Sequence, residues 1–416
     1  MTQNFTLTFL AFFALTLAIR LWLKLRHIRF VAAHRDTLPA EFAERVTLPT
    51  HQKAADYTVD RSKAAVVGIF IDAGLLLALT LGGGLAALHG FWLSRVDGLP
   101  YGLAMIFSVM LISGLVDLPL SLYNQFVVEA RHGFNRMTLG LFFADLIKQT
   151  VLGALIGAPV ILAVLWLMGA MGAAWWLYVW LFWSAFNLLL MFVYPTWIAP
   201  LFNKFSPLEE GEMKARVEAL LARCGFRSSG LFVMDGSKRS SHGNAYFTGF
   251  GNNKRIVFFD TLLTRLDPPE VEAVLAHELG HFRKKHVLKR MLMMFAGSLA
   301  FLWLLGQLID APWFYAGLGV AVQNTALALI LFFLAMPVFT FPVTPLMSWL
   351  SRRNEFEADA YAAEHAAASD LVQALVKLYR DNASTLTPDP LHSLFYDSHP
   401  PAAQRIAHLQ LQPGEA

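Results

Sequence analysis

Seven apolar stretches, each long enough to cross a bilayer, alternate with polar segments along the chain. A membrane-spanning helix needs about 20 mostly apolar residues. The stretches occupy residues 5–23, 64–88, 101–123, 150–171, 174–198, 287–309 and 322–347. This pattern predicts a mainly α-helical polytopic membrane protein with about seven transmembrane helices.

Lysine and arginine are distributed unevenly between the loops. Residues 24–63 hold eight of them, whereas the segment before the first stretch and residues 310–321 hold none. Because basic loops stay in the cytoplasm, we expect the N-terminus outside and the C-terminus in the cytoplasm. The first stretch has no basic segment before it and reads as a retained anchor rather than a signal peptide.

The polar segments 199–286 and 348–416 are long enough to form a small soluble domain. Residues 229–235, 244–248 and 255–260 have strand character, which predicts a sheet of about three strands. We therefore divide the chain into an N-terminal membrane region (1–198), a soluble catalytic segment (199–286), two further membrane helices (287–347) and C-terminal cytoplasmic helices (348–416).

Composition supports the membrane class. Apolar residues make up 56% of the 416 residues and charged residues 15%, against about 25% charged residues in soluble domains. Intrinsic disorder is excluded by the same figures. The single cysteine, Cys224, excludes an internal disulfide, and the absence of a long basic stretch argues against a nucleic-acid partner.

An HExxH sequence at His277–His281 is the first sign of chemistry. Asp267 as N-cap and Glu270 at the capping-box position predict a helix here. On a helix the two histidines lie one turn apart and can bind one zinc ion at about 2.0–2.1 Å. Glu278 points to a neighbouring face, where it can act as general base on the attacking water. The alternative is an amphipathic helix with two exposed histidines.

A third zinc ligand is expected in the segment Ser351–Asp359. Glu355 and Asp359 share one helical face, so Glu355 can be the ligand and Asp359 the acceptor that orients a ligand histidine. The chain crosses the membrane twice between His281 and Glu355, which returns it to the same side. Spacing does not exclude Glu357 as the ligand, and a solvated charged helix is the alternative without HExxH.

A basic cluster, Arg283–His286, directly follows the HExxH helix and precedes the sixth apolar stretch. Such clusters mark the cytoplasmic interface of a membrane. We therefore expect a juxtamembrane zinc site at the cytoplasmic face, within reach of a substrate held in the lipid bilayer.

Several motifs together resemble one family. They are Leu118–Asn135, Met234–Phe250, His277–His281, Arg353–Asp359 and Ser398–Ile406. In combination and order, they are similar to integral-membrane zinc metalloproteases of the CaaX prenyl protease type, which include the yeast a-factor converting enzyme. A bacterial member of this family is as admissible as a eukaryotic one.

The resemblance implies a role for each matching residue. One zinc ion would be bound by His277, His281 and Glu355, with Glu278 as base, Asp359 behind the ligands, and Asn244, His399 and Arg405 at the substrate. Asn244 begins an edge-type strand that can pair with a substrate backbone. His399 or Arg405 can hold the oxyanion or a C-terminal carboxylate. His242 and His132 also lie in the motifs, and we expect structural roles for both.

Family membership further implies seven long helices around a water-filled chamber capped by the catalytic domain. Asp72 and Asp117, ionisable residues within predicted spans, are compatible with a chamber wall. A salt bridge between packed helices is the competing explanation for each of them.

The function expected is a zinc metalloendopeptidase that processes CaaX-type C-termini of prenylated proteins or peptides, acting as a monomer in the endoplasmic reticulum or a bacterial inner membrane. One alternative is a membrane quality-control protease resembling the heat-shock protease HtpX, which would act on unprenylated or misfolded peptides. A non-enzymatic alternative is a transporter or scaffold, which the intact set of ligands and base disfavours.

Overall fold

Seven helices long and apolar enough to cross a membrane are present, as the sequence predicts. The computed structural model describes residues 1–248 and 255–411. Within that part of the chain the spans are Thr2–Ala33, Leu48–Leu79, Gly98–Arg131, Leu139–Ala170, Gly172–Leu201, His286–Leu308 and Thr325–His365. The protein is an integral membrane protein. Gly249 and Phe250, the last residues of one quoted motif, lie outside the described residues.

The first five spans form the N-terminal membrane region. Its helices are α1 (Thr2–Ala33), α2 (Leu48–Leu79), α3 (Gly84–Leu93), α4 (Gly98–Tyr123), α5 (Glu129–Arg131), α6 (Leu139–Ala170) and α7 (Trp175–Val193). The second apolar stretch was predicted to continue to residue 88, but α2 ends at Leu79. The chain then turns through Gly83, whose φ of 79° favours glycine, and α3 follows as a separate short helix.

The soluble segment combines a sheet with three helices. Its elements are β1 (Phe205–Pro207), α8 (Glu212–Arg223), β2 (Gly230–Met234), β3 (Ala245–Thr248), β4 (Arg255–Phe259), α9 (Asp260–Leu263) and α10 (Pro268–Arg283). Among the described residues the sheet has four strands rather than the predicted three, in the order β1-β2-β4-β3. The short strand β1 escaped prediction because three residues ending in proline show no alternation.

Strand β3 lies at one edge of the sheet. It pairs antiparallel with β4, with Ala245 opposite Phe258, while β2 and β4 are parallel. Its other side has no partner strand within the described part of the sheet. An open edge of this kind can accept an extended peptide.

The remaining chain forms two more candidate spans, and its last helices pack against the soluble segment, with which they form what is here called the soluble domain. Its helices are α11 (His286–Leu308), α12 (Pro312–Gly317), α13 (Thr325–Thr340), α14 (Thr344–His365), α15 (Ala368–Asp381), α16 (Pro390–Tyr396) and α17 (Ala402–Gln410). Helices α13 and α14 are joined by one 3-10 turn and together form the seventh span. Helix α13 is the most buried of the membrane helices, and it carries α14 directly into the soluble domain.

Candidate active site

Helix α10 begins as its sequence predicts. Asp267 accepts from the backbone of Glu270, and the Glu270 side chain accepts from the backbone N–H of Asp267. Leu275 and Leu279 are almost fully buried against the soluble core. This fixes the rotation of α10, and His277 and His281 then point together towards α14.

Gly280 allows α10 and α14 to approach closely. A Cβ atom at Gly280 would lie 2.9 Å from Ala358 Cα and 3.0 Å from the Ala358 carbonyl oxygen. Both are helix backbone atoms, which cannot rotate away. The glycine inside HExxH therefore sets the distance between the two helices that carry the candidate metal ligands.

His277, His281 and Glu355 come together at this contact. The two Nε2 atoms are 3.2 Å apart, and each lies 3.4 Å from a Glu355 carboxylate oxygen. A tetrahedral zinc site with bonds of 2.0–2.1 Å has ligand–ligand edges of about 3.3–3.4 Å. Glu355 Oε2 is buried and accepts no hydrogen bond. The three side chains therefore fit the coordination shell of one small divalent cation, whereas Glu357 lies outside this cluster.

Asp359 orients His277 from behind. Its Oδ1 atom lies 2.8 Å from His277 Nδ1, so the ring directs Nε2 towards Glu355. Arg405 donates to both Asp359 oxygens, at 2.8 and 2.5 Å, and its Nη1 lies 3.8 Å from Glu355. Asp359 and Arg405 are both buried. The Arg405 guanidinium is thus engaged by two carboxylates and is not free to bind a third.

A second chain of hydrogen bonds, which the sequence pattern does not predict, orients His281. His281 Nδ1 lies 3.0 Å from His286 Nδ1, and His286 Nε2 lies 3.1 Å from Glu357 Oε2. A continuous helix would place His286 about 140° around the axis from His281. Lys285, with a left-handed φ of 58°, interrupts the helix and brings His286 back. The contact between His286 and His281 could have been predicted only if the helix break at Lys285 had been recognised.

Burial shapes the protonation of the cluster. Burial lowers the pKa of His281 to about 4. Burial also disfavours charge on His277, but hydrogen bonds to Asp359 and Glu355 outweigh it and raise the His277 pKa to about 9. Burial raises the pKa of Glu278. A metal ion at His277 therefore competes with a proton, and Glu278 is a better proton acceptor than an ordinary glutamate.

Two candidate substrate residues are exposed, and one of them lies beside this cluster. His399 is 59% exposed, and its Nε2 lies 3.4 Å from Glu355 Oε1. Ser398 Oγ lies 2.9 Å from the other ring nitrogen of His399 and holds the ring in place. Asn244 is exposed and directly precedes the edge strand β3. The structure therefore brings His399 to the metal cluster and Asn244 to the open edge of the sheet.

His242 joins the soluble domain to the membrane helices. Its Nε2 lies 3.4 Å from both Tyr57 Oη and Glu129 Oε2, and its ring stacks on Phe134. Asn382 accepts from the backbone N–H of Gly243, the next residue. The segment that leads into Asn244 is thereby attached to α2, α5 and the end of α15.

His132 and Asp72 have side-chain partners, and Asp72 and Asp117 line a cavity between the membrane helices. His132 Nε2 lies 3.0 Å from Asp60 Oδ2. Asp72 forms an ion pair with Arg20 at 3.5 Å. Asp72 and Asp117 both line a cavity of about 590 Å³ between α1, α2, α4 and α13. For Asp72, the cavity and the salt bridge thus occur together.

Comparison with known proteins places the chain in a family. Residues 27–204 match the family described as CAAX prenyl protease N-terminal, five membrane helices, and residues 207–412 match Peptidase family M48. The chain is 35% identical to the CAAX prenyl protease 1 homolog of Arabidopsis thaliana, covering 98% of this chain and 97% of the relative. The chain belongs to the CAAX prenyl protease 1 family.

Further family members agree along almost the whole length. CAAX prenyl protease 1 of Saccharomyces cerevisiae is 34% identical over 89% of this chain and 88% of its own. The crystal structure of S. mikatae Ste24p superimposes with a TM-score of 0.90 at 31% identity, covering 97% and 98% of the two chains. Membership in this M48 metalloprotease family implies a metal ion, and the His/Glu cluster is consistent with one.

Proposed function

We propose that this member of the CAAX prenyl protease 1 family is a zinc-dependent membrane endopeptidase that cleaves CaaX-type C-termini of prenylated proteins or peptides. One observation carries the proposal: the ligand atoms of His277, His281 and Glu355 are separated by 3.2–3.4 Å, as in a tetrahedral zinc shell. Relatives over the whole chain are named CAAX prenyl proteases, which supports the substrate class.

His277, His281 and Glu355 would hold one zinc ion. When bound, zinc supplies a Lewis acid that polarises the scissile carbonyl and acidifies the attacking water. Asp359 and Arg405 keep His277 in the tautomer that presents Nε2, while His286 and Glu357 do the same for His281. The protein thus fixes both rings from behind before a ligand binds in front.

Glu278 is the proposed general base. It follows His277 on α10 and is half-buried, and burial raises its pKa. A carboxylate with a raised pKa takes a proton from water more readily, and the acid formed can pass that proton to the leaving amine. Peptide hydrolysis needs both transfers, and one residue can perform them in turn.

The substrate is proposed to lie along the free edge of β3. Asn244 would hydrogen-bond to its backbone, as in strand addition. His399 would donate to the developing oxyanion, since its ring already lies 3.4 Å from the ligand carboxylate of Glu355. Arg405 is buried and paired with Asp359, so we propose that it positions the metal ligands rather than contacting the substrate.

The site is proposed to face the cytoplasm, with the protein monomeric in the endoplasmic reticulum or a bacterial inner membrane. The basic segment Arg283–Lys285 beside α10 supports the cytoplasmic side. A juxtamembrane position would let a lipid-anchored substrate reach the cluster without leaving the bilayer.

The test is cleavage of a farnesylated CaaX peptide by purified protein, beside the unprenylated peptide, with and without a zinc chelator. We expect zinc-dependent release of the C-terminal residues. Glu278→Gln should lower the rate by about 10²- to 10⁴-fold while retaining one zinc per chain. Glu364→Gln, on the exposed surface of α14, is the matched control.

Three results would contradict the proposal. Full activity of Glu278→Gln with its metal content verified would exclude Glu278 as the base. Equal cleavage of prenylated and unprenylated peptides would remove the lipid from recognition and favour a quality-control protease, and zinc binding without turnover of any peptide would favour a non-enzymatic protein.

A further inference from the structure

A cavity between the membrane helices and the soluble domain is lined by two cations that form no ion pair with a described residue. It has a volume of about 230 Å³ and is lined by Lys24 of α1, Arg61 of α2 and the loop after α15. Its lining includes no acidic residue from the described ranges 1–248 and 255–411. Since water occupies about 30 Å³, the cavity has room for a carboxylate and several waters.

Neither cation has an acidic group at close range: Asp397 and Glu129 attract Lys24 and Arg61 only from beyond ion-pair distance. Lys24 Nζ contacts a histidine nitrogen, His392 Nε2, at 2.8 Å and lies over the Tyr396 ring. The Arg61 guanidinium lies 5.4 Å from the centre of the Tyr57 ring. Among the described residues neither Lys24 nor Arg61 forms an ion pair. Two cations that share a cavity repel each other, so an anion that binds between them relieves an unfavourable interaction.

The cavity wall is attached to the segment that precedes the proposed substrate strand. Tyr57 lines the cavity, and its hydroxyl lies 3.4 Å from His242 Nε2. Asn382 lines it too and accepts from the backbone N–H of Gly243 at 3.1 Å. The cavity therefore lies beside the two residues that come immediately before Asn244.

Strand direction points the substrate C-terminus towards this wall. Antiparallel pairs outnumber parallel ones about two- to three-fold, and a peptide antiparallel to β3 runs from the Thr248 end towards Asn244 and Gly243. Three residues of extended chain span about 10 Å. The last residues of a peptide cleaved near Asn244 would thus reach the neighbourhood of Tyr57 and Asn382.

We propose that the cavity between Lys24 and Arg61 binds the C-terminal α-carboxylate of the peptide that is cleaved. The inference rests on the proposed peptidase function and adds a determinant of substrate choice to it. The sequence suggested Arg405 as the group that binds this carboxylate, but Arg405 already donates to Asp359. The cavity offers a separate place for the carboxylate. Every CaaX substrate ends in the group that this cavity would recognise.

The test compares two farnesylated peptides of one sequence, a free acid and a C-terminal amide, in detergent with neutral lipid. Charge-assisted hydrogen bonds predict that wild-type enzyme prefers the acid by about 10- to 100-fold in kcat/KM. Lys24→Met and Arg61→Gln should each move this ratio towards one, and Lys24→Arg should retain most of it. The exposed residues Lys63 and Arg29 supply the matched controls, Lys63→Met and Arg29→Gln.

Binding without turnover provides a second readout. We expect chelator-treated enzyme to bind a labelled acid peptide about 10- to 100-fold more tightly than the amide, and Lys24→Met and Arg61→Gln to lose this difference. Thermal unfolding and zinc content identify variants that fail to fold. Because Arg61 forms no ion pair with any residue that the structure describes, Arg61→Gln is the variant whose folding is least at risk.

The outcomes distinguish a failure of the carboxylate site from a failure of the proposed peptidase function. If wild-type enzyme cleaves neither peptide, the proposed peptidase function fails. If it cleaves both at one rate and the variants match their controls, the carboxylate site is wrong while the peptidase function stands. If the variants lose activity only in vesicles with anionic lipid, at an unchanged acid-to-amide ratio, the cavity binds a lipid phosphate and the proposal is overturned.

Discussion

Replacing Gly280 by alanine should separate the two helices that hold the candidate metal site. The added Cβ would lie 2.9 Å from Ala358 Cα, 3.0 Å from the Ala358 oxygen and 3.1 Å from Tyr361 Cβ. Carbon atoms in contact are normally at least about 3.5 Å apart. Helix α14 must therefore move away from α10 by about 0.6 Å, the difference between 3.5 and 2.9 Å.

That displacement has two measurable consequences. Overpacking of this kind costs about 1–3 kcal/mol of folding free energy. Metal–ligand distances are tolerated within about ±0.2 Å, and α14 carries Glu355, so the shift exceeds the tolerance about three-fold. We expect zinc affinity and kcat/KM each to fall by about 10- to 100-fold.

The assay is zinc affinity in metal buffers, followed by peptide cleavage at saturating zinc and thermal unfolding of the metal-free protein. Gly297→Ala is the matched control because Gly297 is also helical but has open space around its Cβ position. It should be neutral or slightly stabilising. Wild-type zinc affinity and cleavage in Gly280→Ala would refute the view that this contact sets the ligand geometry.

Three further predictions concern the same cluster. His286→Ala should weaken zinc binding by about 10- to 100-fold, measured by competition with a chelator, because His281 loses its partner at 3.0 Å; unchanged affinity would exclude an orienting role. Arg405→Leu should lower the free energy of unfolding by about 3–5 kcal/mol, measured by chemical denaturation, since it leaves Asp359 buried and without its guanidinium; a loss below 1 kcal/mol would contradict this. Chelation of the metal should abolish cleavage and lower the unfolding temperature, and added zinc should restore both; cleavage that survives complete metal removal would argue against a metalloprotease.

Local rules explain what could be predicted about the fold. The thickness of a bilayer sets the length of an apolar helix, so seven spans could be counted without knowing how they pack. The start of α10 could be predicted equally well, because Asp267 and Glu270 satisfy the first backbone N–H groups of their own helix. The end of α2 and the short strand β1 were not, because a single turn or a three-residue pairing leaves too little periodic signal.

The environment of the cluster required the tertiary structure. Residue spacing favoured Glu355 as the third ligand without excluding Glu357, and the packing of α10 on α14 at Gly280 brings Glu355 to the two histidines. His286 was read as part of a basic cluster, but the left-handed Lys285 turns it towards His281. The roles proposed for these residues in catalysis stay predictions until the substitutions are made.

The sequence by itself determined the class of protein and the chemical groups available to it. The length of an apolar stretch, the charge of a loop and the HExxH spacing depend only on residues that are close together in the chain. They can therefore be recognised whatever the tertiary fold is. Only the tertiary structure decided which groups meet. Arg405 reaches Asp359 across 46 residues and His277 across 128, and Lys24 and Arg61 share a cavity although they lie on different helices. Such meetings depend on how helices pack, and no local pattern encodes that.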